Sequence, residues 1–292
     1  MEATAQRKII HAIRKTPELQ DVFQVPLLAL PTFLILILTL TGFAISTSFY
    51  LAGELNVMPL MLINSAIIFF SFTPLHEATH RSFSRVMWLN DLLGTLSAQL
   101  ILPGFNTSLY RFLHITHHQR TGESQSDPDE RFISAPLFNR VLNWAFLDVL
   151  WTRYYLSVWS ERPQGERVRF CAGLFFYISV FVVGFSSSYA LEFLCAFVVP
   201  MFLGRIILVY LFAYIHHVQG VEQRSDPIGA TGMIDTHAVN RFLLLGQSRH
   251  LIHHLYPGLP WYRYDQVWDI ARKEIPASKI KWGGLLGRMS TN

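Results

Sequence analysis

The chain has 292 residues, 51% hydrophobic and 14% aromatic but only 15% charged, with a mean hydropathy of +0.29. A soluble domain of this size carries about 25% charged residues, so the composition excludes an ordinary water-soluble globule and points to a membrane protein. The formal charge of +4 and the pI near 9.1 fit an anionic membrane surface better than nucleic acid, because long apolar runs accompany them.

The first 25 residues contain RKIIHAIRK, in which Ile9, Ile10 and Ile13 fall on one side of a basic helix. Such a helix is expected to lie in the membrane plane, with His11 as a surface residue. Four apolar stretches follow, at about 26–50, 57–74, 168–188 and 191–214. Each approaches the roughly 20 residues a helix needs to cross a bilayer. The first is too long for a signal-peptide core and has no small-residue cleavage site behind it, so it is expected to remain. The links AGELN and SSSYALE are short, so the stretches pair into two hairpins.

Of the 24 Lys and Arg residues, 23 lie before, between or after the hairpins, and neither short link carries one. The positive-inside rule then places the termini and the middle of the chain in the cytoplasm. The exception is Arg205, inside the fourth stretch. An intramembrane Arg costs at least about 2.5 kcal/mol, so a partner within the bundle is expected. It would serve either to hold the bundle or to line a substrate path. Cys171 and Cys195 both lie in apolar segments and read as buried free thiols.

Between the hairpins, LNDLLGTLSAQLILPGF is apolar but short, which suits a re-entrant or surface-lying segment. NWAFLDVLWTRYYLSVW carries Trp144, Trp151, Tyr154, Tyr155 and Trp159, amphipathic rings expected at the headgroup level. The expected fold is an all-α integral membrane protein with four transmembrane helices in two hairpins, capped by cytoplasmic and interfacial helices that form a di-metal site. One domain is expected over 1–292. The amphipathic segment covers 1–25, the hairpins about 26–74 and 168–217, and the cap 75–167 and 218–292.

HEATH, at residues 76–80, is H-E-x-x-H, the pattern in which two His on one helix face hold zinc and Glu77 serves as base. The other histidines argue for something larger. Of the 12, His114, His117 and His118 form H-x-x-H-H, and His250, His253 and His254 repeat it. One such pattern is expected about 0.02 times by chance at this histidine frequency, which makes two an unlikely accident. Residues three and four apart share a helix face, so each cluster can aim two or three imidazoles at one point. His216 and His217 end the fourth stretch at the same level. A zinc protease needs three protein ligands, whereas about nine imidazoles suit two metals. Imidazole accepts Zn, Cu, Fe or Ni. Redox chemistry on a lipid-soluble chain favours iron, because zinc has none.

The runs HEATHRSF followed by LNDLLG, YRFLHITHHQRTGESQSDPD, and NRFLLLGQSRHLIHHLYPGLPWYR resemble the membrane fatty acid desaturases, within the wider three-histidine-box di-iron desaturase and hydroxylase superfamily. The resemblance covers roughly residues 30–275. It implies two iron ions held by His76, His80, His114, His117, His118, His250, His253 and His254. A further ligand is implied near the end of the last span, usually after a Glu. Here His217 matches the ligand and His216 stands in the Glu-like place, as the alternative. No catalytic residue beyond these ligands is implied. Glu77, Asp127 and Asn240 are candidates to orient them by hydrogen bonds, Asp127 being equally suited to a turn or cap. His237 is assigned no role.

The resemblance further implies O₂ as co-substrate and removal of two hydrogens from adjacent carbons of an acyl chain, carried by CoA, acyl carrier protein or phospholipid. No haem-binding or ferredoxin-like segment is fused to the chain. A separate electron donor of ferredoxin, rubredoxin or cytochrome b5 type is therefore expected, and no nucleic acid. LYPGLPWYRY and RTGESQSDPD resemble the acyl desaturases more than the carotenoid-oxidising branch. The alternatives are a hydroxylase or ketolase of the same superfamily, acting on a carotenoid, alkane or lipid, and, more remotely, a membrane zinc protease. The charge pattern makes a direct prediction. Single cysteines at Gly53 and Ser187 should react with an impermeant reagent outside the cytoplasm, and one at Ser124 only from inside. External labelling at Ser124 would scatter the clusters across the membrane and overturn the two-hairpin topology.

Overall fold

The structure, a computed structural model, describes residues 1–234, 241 and 243–285. It is helical almost throughout. A short amphipathic helix α1 (Ala3–Arg14) precedes the long helices α2 (Leu30–Leu51) and α3 (Val57–Thr79). The shorter helices α4 (Met87–Ile101), α5 (Thr107–Arg120), α6 (Glu130–Ser134), α7 (Leu137–Ala145) and α8 (Leu147–Ser157) come next. Two more long helices follow, α9 (Gln164–Ser186) and α10 (Ala190–Tyr214), and then α11 (His250–Leu255) and α12 (Tyr264–Glu274). Two three-residue strands, β1 (Gly232–Ile234) and β2 (Lys281–Gly283), pair in parallel.

Helices α2, α3, α9 and α10 have 22, 23, 23 and 25 residues and are apolar enough to cross a membrane. At about 1.5 Å per residue each exceeds the roughly 30 Å of a hydrocarbon core. Within the most apolar window of each, α3 and α10 are 50% buried, whereas α2 is 17% and α9 11% buried. The first two therefore form the inner pair and the other two face outward. Leu34, Leu38 and Ile45 on α2 and Phe175, Val182 and Val183 on α9 stay exposed. An apolar band of this extent is stable only against lipid.

Four details depart from the sequence reading. The second span does not stop at Pro74 but continues to Thr79, so the first histidine box is its last turn. The proline removes one helical donor, but partners supplied by α4 and α5 hold the helix end beyond it, as described below. Second, α1 does not offer its apolar face to the membrane. Ile13 is buried, and Ile9 and Ile10 pack against a cluster that includes Tyr256, Tyr264 and Trp268. Buried Gln6 donates to Asp226 and accepts the Ile228 N–H, which latches α1 to the loop before β1. Third, Trp144, Trp151 and Tyr155 are buried in the protein core instead of facing headgroups. Fourth, Cys195 is buried but Cys171 is exposed on the outward-facing α9. Helix α4 does fit the expectation of a non-spanning segment. Its 15 residues reach about 22 Å, and its buried face packs on α3.

Arg205 is fully buried in α10. Its Nε and Nη2 donate to the Ile101 carbonyl at 3.0 and 2.7 Å. Its Nη1 donates to the Ala145 carbonyl at 3.3 Å and lies 3.2 Å from the Asp148 carboxylate. Tyr177 of α9 donates to the same carboxylate at 2.7 Å. One guanidinium thus ties α10 to the ends of α4 and α7 and to α8, with Tyr177 drawing in α9: this is a bundle-holding contact. Arg205→Leu should destabilise the protein by about 3–5 kcal/mol, because it strands a buried carboxylate and two carbonyls. Arg205→Leu with Asp148→Leu should recover much of that loss. Equilibrium unfolding in mixed micelles measures both, and equal losses in the single and double variants would refute the pairing.

Candidate metal centre

The first box is positioned by the way α3 ends. Ser82 N–H donates to the Glu77 carbonyl and Arg81 N–H to the Ala78 carbonyl, the double closure that ends a helix in a left-handed residue. That residue is Arg81, at φ 59°, where a side chain costs about 1–2 kcal/mol relative to glycine. The carbonyls of the last turn find side-chain donors. Asn90 Nδ2 donates to Ala78, and Arg111 donates to both Ala78 and Thr79 while paired with Asp91. The polar letters of LNDLLG are therefore clamps on the helix end that carries His76 and His80. Its glycine, Gly94, lets α4 approach, since a Cβ there would sit 2.4 Å from Ala78 Cβ.

Helix α5 starts on Asn106, whose side chain accepts the Leu109 N–H, and presents His114, His117 and His118 along one side. At the end of α10 the turn Tyr210–Tyr214 is π-helical, so the helix face rotates before His216 and His217. Helix α11 follows Gly246, at φ 77°, where a Cβ would lie 2.7 Å from the Trp261 carbonyl. It carries His250, His253 and His254, all buried.

These four helix segments converge. One ring nitrogen each from His76, His80, His114 and His253 lie within 4.8 Å of one another, and the same holds for His117, His217 and His254. His118 adjoins the first group, its Nε2 3.1 Å from His114 Nε2 and 3.0 Å from His253 Nε2. His250 adjoins the second, with ring centres 4.9 Å from His217 and 4.7 Å from His254. His216 stands outside both. Its ring stacks on His250, and neither of its nitrogens has a hydrogen-bond partner among the described residues. Burial holds it down at about 3.

Outer partners fix how the rings point. His117 Nδ1 meets Asp127 at 2.8 Å, His217 Nδ1 the Ala213 carbonyl at 2.6 Å, His250 Nδ1 the Gln247 side-chain oxygen at 3.0 Å, and His253 Nδ1 the Tyr264 hydroxyl at 2.9 Å. An acceptor at Nδ1 puts the proton there and leaves a lone pair on Nε2. Yet His117 Nε2 lies 3.0 Å from His217 Nε2, which lies 3.2 Å from His254 Nε2. With the Nδ1 acceptors of His117 and His217 engaged, two Nε2 lone pairs face each other at hydrogen-bond distance, an arrangement that a shared cation satisfies. Metal–imidazole bonds of about 2.0–2.1 Å put adjacent nitrogens about 3 Å apart, as found here. The donor set thus fits a metal ion in each group.

Electrostatics agree. Burial, reinforced by neighbouring imidazoles, holds His80, His114, His118, His250, His253 and His254 well below the ordinary imidazole range, in the neutral form that binds metals. His117 is the exception. Burial pulls it down, but Asp127 and Asp129 outweigh that and raise it to about 9. Burial in turn lifts the Asp129 carboxyl to about 6, with Asp127 adding to the rise and His117 and the Trp151 indole opposing it.

Of the residues proposed to orient ligands, Asp127 does so and closes a turn as well, accepting the Asp129 and Gly122 N–H groups. Glu77 does not. It is fully buried, but its carboxylate takes only the Trp261 N–H, at 3.4 Å, and reaches no imidazole among the described residues. Asn240 and His237 lie outside the described residues. Gln247 and Tyr264 were not singled out in the sequence. Gln247 stands three residues before His250, the helical reach that could have revealed it, whereas Tyr264 carries no local signal. A small cavity of about 40 Å³ touches His76, His114, His117, His217 and His250 and is otherwise walled mainly by Phe72, Tyr110, Phe132, Trp151, Leu208 and Phe212. A polar cavity of about 270 Å³ reaches His118 and His254 past Arg7 and Arg224.

Asp127→Asn should weaken metal retention about 10–100-fold by freeing the His117 ring. Glu77→Gln should leave it close to wild type. Timed metal loss to a chelator measures both, and the reverse ranking would contradict this geometry.

Comparison with known proteins places these features in a family. The model of the fatty acid desaturase family matches residues 53–285, which enclose all the boxed histidines. Dihydrorhizobitoxine desaturase of Bradyrhizobium elkanii is 27% identical over 241 residues, 72% of this chain and 66% of that protein. An sn-1 acyl-lipid omega-3 desaturase (ferredoxin) of Nostoc sp. is 27% identical over 140 residues, 46% of this chain and 38% of that protein. An sn-1 oleoyl-lipid 12-desaturase of Picosynechococcus sp. is 24% identical over 257 residues, 79% and 71% of the two chains. The chain spans less than two thirds of the length of the first two. With the family model matched over most of its length, the chain belongs to the fatty acid desaturase family.

Proposed function

We propose that this protein is a membrane oxidoreductase that introduces a double bond into the acyl chain of a lipid, with two irons held by histidine. The observation that carries this reading is the convergence of two groups of buried imidazoles on one small apolar cavity. His76, His80, His114, His118 and His253 would hold one iron, and His117, His217, His250 and His254 the other. Bound iron would supply the oxidising power, drawn from O₂ and two electrons, to break unactivated C–H bonds.

The rest is the work of the chain. Asp127, Gln247 and Tyr264 hold their rings in the metal-binding tautomer. Phe72, Phe132, Trp151, Leu208 and Phe212 wall the small cavity with apolar surface that would exclude water and confine a substrate chain beside the histidines. Such confinement keeps two neighbouring carbons in reach, and reach matters at the level of about 1 Å. This favours loss of a second hydrogen over insertion of oxygen. The relatives named for acyl-lipid substrates and for ferredoxin support a lipid substrate and a separate electron carrier. The polar cavity at His118, rimmed by Arg7 and Arg224, offers such a carrier an approach. We read the chain as one domain, with the termini and the histidine-bearing end in the cytoplasm, because 23 of its 24 basic residues flank the hairpins on that side.

A host expressing the chain with a compatible electron donor should accumulate acyl chains two hydrogens lighter, seen by lipid mass spectrometry. Purified protein should hold close to two irons. His117→Ala should abolish the product, and His11→Ala should leave it unchanged. Products heavier by one oxygen would make the protein a hydroxylase, and full activity in His117→Ala would remove the site.

A further inference from the structure

Two cavities beside α8 share a residue. The first, of about 370 Å³, lies between α8, α9 and the start of α5 and is walled chiefly by Phe105, Leu109, Phe146, Phe170, Leu174 and Phe202. Its volume falls within the roughly 300–1,000 Å³ of small-molecule pockets. None of its lining residues belongs to the slot at the histidines. The second, of about 420 Å³, is polar and lies against the loop before α6. Arg153 lines both, and Arg131 lines the second.

Neither guanidinium has a hydrogen bond or ion pair among the described residues, although carboxylates are close in sequence and space. Those carboxylates are already engaged. Glu130 takes the Ser134 hydroxyl, Asp127 holds His117, Asp129 holds Trp151 and Asp148 holds Arg205. Around the apolar cavity Phe146, Val149, Leu174 and Phe175 are exposed, so this part of the surface faces lipid. The pair of cavities therefore joins a membrane-facing apolar slot to a polar recess in which the Asp127 and Glu130 carboxylates are turned to His117 and Ser134, leaving two guanidiniums as the groups free to take an anion. That is the pattern of an amphiphile with one chain and an anionic head. Arg suits phosphate in particular, because its fork donates two parallel hydrogen bonds.

We propose that this paired cavity binds an anionic glycerolipid, with its phosphate on Arg153 and Arg131 and one acyl chain between α8 and α9. The site is separate from the histidine slot, and its occupancy needs neither metal nor turnover. A zwitterionic lipid with the same chains would bring an ammonium against the two guanidiniums, so the site discriminates by head group.

The test uses the full chain in detergent, exposed to equal amounts of phosphatidylglycerol and phosphatidylcholine with identical acyl chains. Native mass spectrometry counts the retained lipid. Wild type should retain phosphatidylglycerol over phosphatidylcholine by about tenfold. Arg131→Gln with Arg153→Gln should bring that ratio near one while total retained lipid stays. Leu174→Trp, which fills the apolar slot, should lower both lipids together, and Val149→Trp serves if Leu174→Trp does not elute as folded protein. Equal retention of the two lipids by wild type, or a preference that survives loss of both arginines, would overturn the proposal. Unchanged lipid retention in the slot-filling variant would overturn it as well. A protein that desaturates nothing could still pass this test, and an active desaturase could fail it.

Discussion

Nitrogens of several imidazoles cannot crowd to about 3 Å without something shared between them, and most of this structure holds them in that position. His117, His217 and His254 bring Nε2 atoms to 3.0–3.2 Å because their helices are fixed independently of one another. Asn90 and Arg111 clamp the end of α3, a π-helical turn rotates the end of α10, and Gly246 admits the chain that leads into α11. Each device has a local cost, such as the left-handed Arg81, that the surrounding packing offsets.

The membrane sets the second constraint. A bilayer gives helices no hydrophobic reason to associate, so packing and polar contacts must do it. Arg205 with Asp148, Tyr177 and two carbonyls is such a contact, placed where α10 meets the cap. A second polar contact joins α3 to α10 and α2 nearer the opposite end, where Asn64 donates to the Ala196 carbonyl and accepts the Ser46 hydroxyl. Helix α10 is thus tied at two levels, and α3 is held by Asn64 at one end and by Asn90 and Arg111 at the other.

Two kinds of space surround the centre. The slot at the histidines is small, apolar and closed in by aromatic rings, which suits chemistry that must avoid water. The polar cavity at His118 and His254 approaches the same rings from a basic rim. The two cavities thus reach the histidines from different sides, one apolar and one rimmed by arginines. Helix α1 borders the second, because its latch to the loop before β1 places Arg7 beside Arg224, whose carbonyl it bonds.

The four spans, their pairing and the three histidine clusters were legible in the sequence, because apolar run length and i, i+3, i+4 spacing are local properties that survive into the fold. Apolar run length likewise placed the pair His216 and His217 at the end of the fourth span, whereas the choice of His217 came from the family resemblance. What the sequence could not carry was everything that depends on which surface meets which. RKIIHAIRK has the pattern of a membrane-surface helix, yet α12 and the residues around Tyr256 cover its apolar face. The aromatic run around Trp151 has the composition of a headgroup belt, yet three of its five rings, Trp144, Trp151 and Tyr155, became core. Glu77 sits inside the box but turns to Trp261, while Tyr264, eleven residues beyond His253, supplies the hydroxyl that ring needs. Spacing along the chain determined which imidazoles could share a point. Only the tertiary structure decided which nitrogens meet there, because a ring's direction is set by the partner on its other nitrogen, and that partner comes from elsewhere in the fold.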